Sequence, residues 1–96
     1  MWTYVDGADH YRVVILSNVV YNVTPGARPL AAVLTRRVGS LAPWLIDTID
    51  PDPVGATVDL VQLVLCDPAR LTEQVGILVG DTWARVRDGA LALLGT

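Results

Sequence analysis

The sequence predicts a mainly β domain of the α+β type: a small curled sheet or barrel of about five to six short strands carrying one C-terminal amphipathic helix. Three observations carry that expectation. Apolar and β-branched runs of strand length recur over the first two thirds of the chain. Gly, Pro and Asp punctuate those runs at short intervals. Past Gly80 the apolar period changes to steps of three and four.

Residues 2–6 alternate aromatic or apolar with polar, and Gly7 ends them. Residues 12–18, a β-branched run, read as a strand buried on both faces. Thr24-Pro25-Gly26 marks a turn. Residues 30–37 form the next strand, closed by Gly39-Ser40. Residues 43–49 follow, then a break at Asp50-Pro51-Asp52-Pro53. Proline cannot donate to a ladder, so 51–55 is a loop. Residues 57–67 are the strongest strand, with Val58, Leu60, Gln62, Val64 and Cys66 on one face. That pattern makes Gln62 a buried hydrogen-bond partner and Cys66 a small buried hydrophobe. Residues 71–79 read as strand or as turn plus strand. Asp81 is placed to cap the helix, and Trp83, Val86, Ala90 and Leu93/Leu94 form its packing stripe. Gly95 is placed to end it.

The 96 residues make one domain, 1–96, with no repeat and no linker. An apolar fraction of 52% exceeds what so short a chain needs for its own core, which points to a subunit interface. No apolar run is long enough for a membrane span, and the first residues lack a signal peptide's basic leader. Cys66 is alone, which excludes an internal disulfide and a cysteine metal site. These features imply a cytoplasmic protein with no cofactor and no metal. Net charge is −3, unusual for a nucleic-acid binder, yet the charge is uneven. Residues 1–37 carry four Arg against two Asp, a balance of +2, while 38–96 carry three Arg against eight acids, a balance of −5. All seven basic residues are Arg, a bias that a GC-rich genome or phosphate recognition would each produce.

Val14-Ile15-Leu16-Ser17-Asn18, with Tyr21-Asn22 after it, is similar to the second strand and following turn of the MazF/PemK/CcdB toxins. Residues 30–35, Pro43-Trp44, Val58-Asp59-Leu60-Val61-Gln62 and Arg70-Leu71 match later elements of that superfamily in order and spacing. The resemblance implies a helix-capped SH3-like barrel acting as a homodimer. It further implies a toxin of a type II toxin–antitoxin system that cleaves single-stranded RNA through the RNA's own 2′-hydroxyl and is held in check by a cognate antitoxin. The family's site Arg and Thr carry over to Arg12 and Thr35. Counting from Ser17-Asn18 puts the Arg position on Tyr11, whereas counting from Thr35 puts it on Arg12; a bulge between them would reconcile the two. The family's Pro after the Arg is replaced by Val13, and the loop between the first two strands is cut to residues 7–10.

Internal attack on a phosphodiester needs a proton acceptor, a cation for the developing charge and a proton for the leaving oxygen. Arg12 supplies the cation with a two-pronged donor fork, and Thr35 a directional hydroxyl. His10 is the candidate acid–base group, since imidazole ordinarily titrates near neutrality. It also reads as a solvated polar residue beside a turn. Arg28, Arg36 and Arg37 cluster in the net-basic part as candidate RNA-phosphate contacts, or form an exposed rim. Tyr21 and Asn18 are further candidates for RNA, Tyr21 by stacking. Trp44 reads as stacking group or core. Two alternatives stand beside the nuclease: a CcdB-like toxin acting on DNA gyrase, and a catalytically inactive SH3-like binding module.

Overall fold

Gly7 sits at φ +62°, a value open to glycine at little cost. It occupies the first position of a two-residue hairpin loop, the placement a type II′ turn requires. The turn joins β1 (Trp2–Asp6) to β2 (Asp9–Ile15), which pair antiparallel from Trp2↔Val13 to Asp6↔Asp9. So tight a connection lets β2 begin at Asp9, three residues before the expected start, and it ends at Ile15. The protein is seen in a computed structural model that describes residues 1–39, 42–49 and 51–93.

The remaining elements are α1 (Val19–Asn22), β3 (Leu30–Thr35), β4 (Leu45–Asp47), β5 (Thr57–Leu65), a 3-10 turn (Pro68–Arg70), β6 (Leu71–Gln74) and α2 (Gly80–Leu93). They form one six-stranded antiparallel sheet in the order β4-β5-β3-β2-β1-β6, with α2 packed on β4 and β5. The mainly β class with a terminal helix is as expected. The short helix α1 is not: Asn18 accepts from the Tyr21 amide at 2.9 Å, so it caps a helical turn instead of extending β2. No helix among the described residues is long and apolar enough to cross a membrane.

The sheet has a core on each face. Val14, Ala32, Leu34, Ile46, Val58, Leu60 and Val86 pack on the helix side. Tyr4, Val13, Ala31 and Cys66 pack on the other, joined by Tyr11, Val33 and Val64. Cys66 is buried as expected, and burial pushes its thiol pKa up. The strict alternation expected of β5 fails at residues 60–62, where its ladder with β3 jumps from Val33↔Asp59 to Ala32↔Leu63. Asp59 fills the irregularity. Its carboxylate accepts from the Val61 amide at 3.1 Å and from Gln62 Nε2 at 2.7 Å. Asp59 is therefore buried and Gln62 exposed, the reverse of the expectation from periodicity. Val61, Leu63 and Leu65 are left on the surface.

Helix α2 is rotated from its expected stripe. Its buried residues are Thr82, Val86 and Gly89, while Trp83 is 38% exposed. Gly89 explains the rotation. A Cβ there would lie 2.7 Å from Leu60 Cδ1 and 2.8 Å from the Pro43 carbonyl oxygen, so only glycine lets the helix approach this closely. Gly89→Ala should gain about 1 kcal/mol of helix propensity and lose about 1–3 kcal/mol to overpacking against a backbone oxygen that cannot yield. A lower urea midpoint with unchanged slope is the expected result.

Asp81 lies in the first turn, but the acid that closes the helix start comes from the 51–55 loop. Asp52 accepts from the Val79 amide at 2.7 Å, the Thr82 hydroxyl at 2.5 Å and the Ile49 amide at 2.8 Å. Burial alone would raise the Asp52 pKa, but these three bonds outweigh it and hold the carboxyl below the usual aspartate range. The sign follows: Asp52 adds stability above its unfolded pKa, and that stability is lost as pH falls through the lower folded value. Acid titration of thermal stability should therefore show a loss at the acid end of the carboxylate range that Asp52→Asn flattens. Ser40, Leu41, Asp50 and residues 94–96, including the expected helix stop at Gly95, lie outside the described residues.

Candidate functional site

Strands β2 and β3 pair over three positions: Val13↔Val33, Val14↔Ala32 and Ile15↔Ala31. Toward the hairpin, β2 continues with β1 alone, while β3 continues with β5 alone as far as Thr35↔Thr57. The two strands part beyond Val13 and Val33, and a groove of about 320 Å³ opens between them. His10, Tyr11 and Arg12 line one side, Leu34 and Thr35 the other, and Val54, Gly55 and Ala56 complete the wall.

The three residues assigned to chemistry from the sequence, His10, Arg12 and Thr35, thus border one recess. Their approach differs. Val13 faces Val33, and alternate residues share a face, so Thr35 lies on the side of Tyr11, and Arg12 on the side of Val14 and Leu34. Carried two residues further at the same register, the ladder sets Tyr11 opposite Thr35. The described β2–β3 pairs hold no bulge that would shift Arg12 into that place. His10 and Arg12 share a face and are exposed. Among the described residues no hydrogen bond or ion pair engages the side chain of either. Thr35 Oγ1 donates weakly to the Arg36 carbonyl at 3.2 Å, leaving its lone pairs open. Tyr11 is tilted against Tyr4, with ring centroids 5.4 Å apart. Partial burial and then the charge of Asp6 push its phenol pKa upward, so it is a neutral donor at pH 7, not a base.

The other candidates do not gather here. Asn18, Tyr21 and Arg28 belong to the β2–β3 connection, at the opposite end of the ladder from Arg12. There they build the turn: Asn18 caps α1, and the Tyr21 hydroxyl donates to the Arg28 carbonyl at 3.1 Å. Arg36 follows Thr35 and is exposed. Arg37 spends one nitrogen on the fold: Nη2 donates to the Thr48 carbonyl at 2.7 Å and lies 3.6 Å from where a Gly55 Cβ would stand. Trp44 is 41% exposed, outside the core. Sequence reasoning passed over Tyr11, although counting from Ser17 marks its position, and over the 54–56 wall, which carries no chemical side chain.

A second hollow, about 550 Å³, lies beyond Tyr11 and is lined by Val33, Val61, Gln62, Leu63 and Val64. Tyr11 divides the polar groove from this mostly apolar surface.

No protein-family model matches the chain, and no curated protein matches it. Solved structures do. An endoribonuclease in complex with its cognate antitoxin, from a mycobacterial species, aligns at TM-score 0.88 and 19% identity, over 98% of this chain and 89% of its own. A mycobacterial endoribonuclease aligns at 0.83 and 21%, over 98% and 88%. A chain of the MazE–MazF complex of Deinococcus radiodurans aligns at 0.80 and 23%, over 99% and 91%. The chain has a MazF-type fold. Near-complete coverage in both directions means that every strand and the closing helix take part in the MazF-like likeness, including the diverging pair that makes the groove. None of the three structures is described as acting on gyrase.

Proposed function

We propose that this chain is the toxin of a toxin–antitoxin pair and a metal-independent endoribonuclease acting on single-stranded RNA. One observation carries the reading: on a MazF-type fold, His10, Arg12 and Thr35 border a single open groove. In this reading Arg12 holds two oxygens of the scissile phosphate and offsets the charge that grows on them. His10 takes the proton of the 2′-hydroxyl as its oxygen attacks phosphorus. The bond to the 5′-oxygen breaks, and that oxygen receives a proton from the His10 imidazolium formed in the attack. The products are a 2′,3′-cyclic phosphate and a 5′-hydroxyl. Thr35 and the neutral Tyr11 phenol, on the other face of the two strands, offer directional bonds from the opposite rim. Among the described residues no Asp or Glu lines the groove, whose charged lining residue is Arg12.

Two partners belong to the proposal. A cognate antitoxin is supported by the complexes among the similar structures. A homodimer is supported by the apolar surface that Val61, Leu63 and Leu65 leave open. The test is incubation of the pure protein with mixed-sequence RNA in EDTA, with both new ends mapped. Cuts that leave cyclic phosphate and 5′-hydroxyl ends support the reading. RNA that stays intact at high protein concentration overturns it.

A further inference from the structure

The outer wall of the groove is a loop, and side chains hold it. Val54, Gly55 and Ala56 belong to the connection between β4 and β5, and two sets of bonds fix that connection. The first centres on Thr48, which is 1% exposed. Its hydroxyl donates to the Val54 carbonyl at 2.6 Å and accepts from the Ala56 amide at 3.0 Å, while Arg37 binds its carbonyl. The second centres on Asp52. One bond, from the Ile49 amide, curls the loop on itself; the other two, from the Val79 amide and the Thr82 hydroxyl, fasten it to the start of α2. Pro53 then rests on Gly76, where a Cβ would come within 2.5 Å of its ring.

We infer that Asp52 is a positioning residue of the groove. By tying the loop to α2 it sets the distance between the 54–56 wall and the strand ends that carry Arg12 and Thr35. Asp52 does not line the groove. It acts through two residues of chain, from Asp52 to Val54, whose carbonyl the Thr48 hydroxyl then captures. The Thr48 bonds fix the wall to β4 and β5, within the sheet; the Asp52 bonds add a link to the helix. Without that link the wall keeps its sheet side and gains freedom to swing at its helix side. A bound strand would then lose wall contact without losing the groups that react with it.

This inference rests on the nuclease reading for its kinetic arm only. The test uses Thr82→Val, which removes one hydroxyl donor and keeps side-chain volume, beside Asp52→Ala and Asp52→Asn. Kinetics are measured on a single-stranded RNA oligonucleotide well below the unfolding midpoint, with amide exchange measured in parallel. Thr82→Val should raise KM about fivefold with kcat within about twofold, the loss expected for one hydrogen bond that shapes binding. Asp52→Ala should raise KM further, and Asp52→Asn, which keeps an acceptor for the Val79 amide, should recover part of it. Exchange at Gly55 and Ala56 should quicken by a similar factor while the β1–β2 hairpin is unchanged. Variants that lower only the unfolding midpoint, with KM and wall exchange as in the parent, overturn the inference. If the parent cuts no RNA, the nuclease reading fails, and exchange at the wall alone still decides whether Asp52 sets it.

Discussion

Arg12→Ala is expected to lower the rate of RNA cleavage by about a hundredfold to a thousandfold, the range seen when one donor to a developing oxyanion is removed. The size follows from what the groove offers. Arg12 is the permanent cation among its lining residues, and the proposed mechanism reserves His10 for the proton. Tyr11 and Thr35 are neutral hydroxyl donors, worth less each to a charged oxygen. The fold should not notice the change: the guanidinium is exposed and bonded to nothing among the described residues, so unfolding should move by less than about 0.5 kcal/mol. Arg12→Lys keeps the charge but not the fork, and should recover only part of the rate. Tyr11→Phe, at the position that the register sets opposite Thr35, should cost far less than Arg12→Ala. The measurement is kcat on a defined oligonucleotide with thermal midpoints run alongside. Equal activity for Arg12→Ala and parent would remove the phosphate from Arg12. A larger loss for Tyr11→Phe would move it to the neighbouring face of β2.

Leu60→Ala should cost about 2–5 kcal/mol, the range for a fully buried leucine whose cavity cannot collapse. Leu60 is 2% exposed and meets the helix at Gly89, where a Cβ would lie only 2.7 Å from its Cδ1. A domain of this size holds about 5–15 kcal/mol in total. The variant should therefore unfold at least about 10 °C lower than the parent by calorimetry or circular dichroism. Leu60 and Gly89 touch, so their substitutions should not add. With Leu60 shortened, a Cβ at residue 89 has room on that side, and Gly89→Ala should cost less than it does in the parent. It should not become free, because the Pro43 oxygen still stands 2.8 Å away. Additive losses in the double variant would mean that backbone at Pro43 sets the approach, not Leu60.

Much of the fold was legible because the signals are local. Gly7 after a five-residue alternation marks the first turn, and the prolines at 51 and 53 mark the break before β5. The change of period past Gly80 marks the helix. The errors arose where a residue from elsewhere overruled a local rule. By its adjacency Asp81 reads as the cap of α2; the structure gives that work to Asp52, 30 positions before Thr82, because the 51–55 loop folds back onto the helix start. Gln62 looked buried because its neighbours are apolar, yet the irregularity opposite Ala32 and Val33 turns it outward and draws Asp59 in. Arg37 looked like a free cation beside Arg36, and the buried Thr48 carbonyl claims it.

By itself, the sequence determined the mainly β class, the closing helix, the net-basic first third and the residue types that could meet a phosphate. Those properties depend on backbone preference and on side chains near in the chain. Only the tertiary structure decided that His10, Arg12 and Thr35 border one groove, and that Thr35 shares its face with Tyr11. Both facts depend on where the β2–β3 ladder stops and which residues pair before it does. Pairing is settled between segments about twenty residues apart, through turn lengths and an irregular strand, and a one-residue change of register exchanges the two faces of a strand.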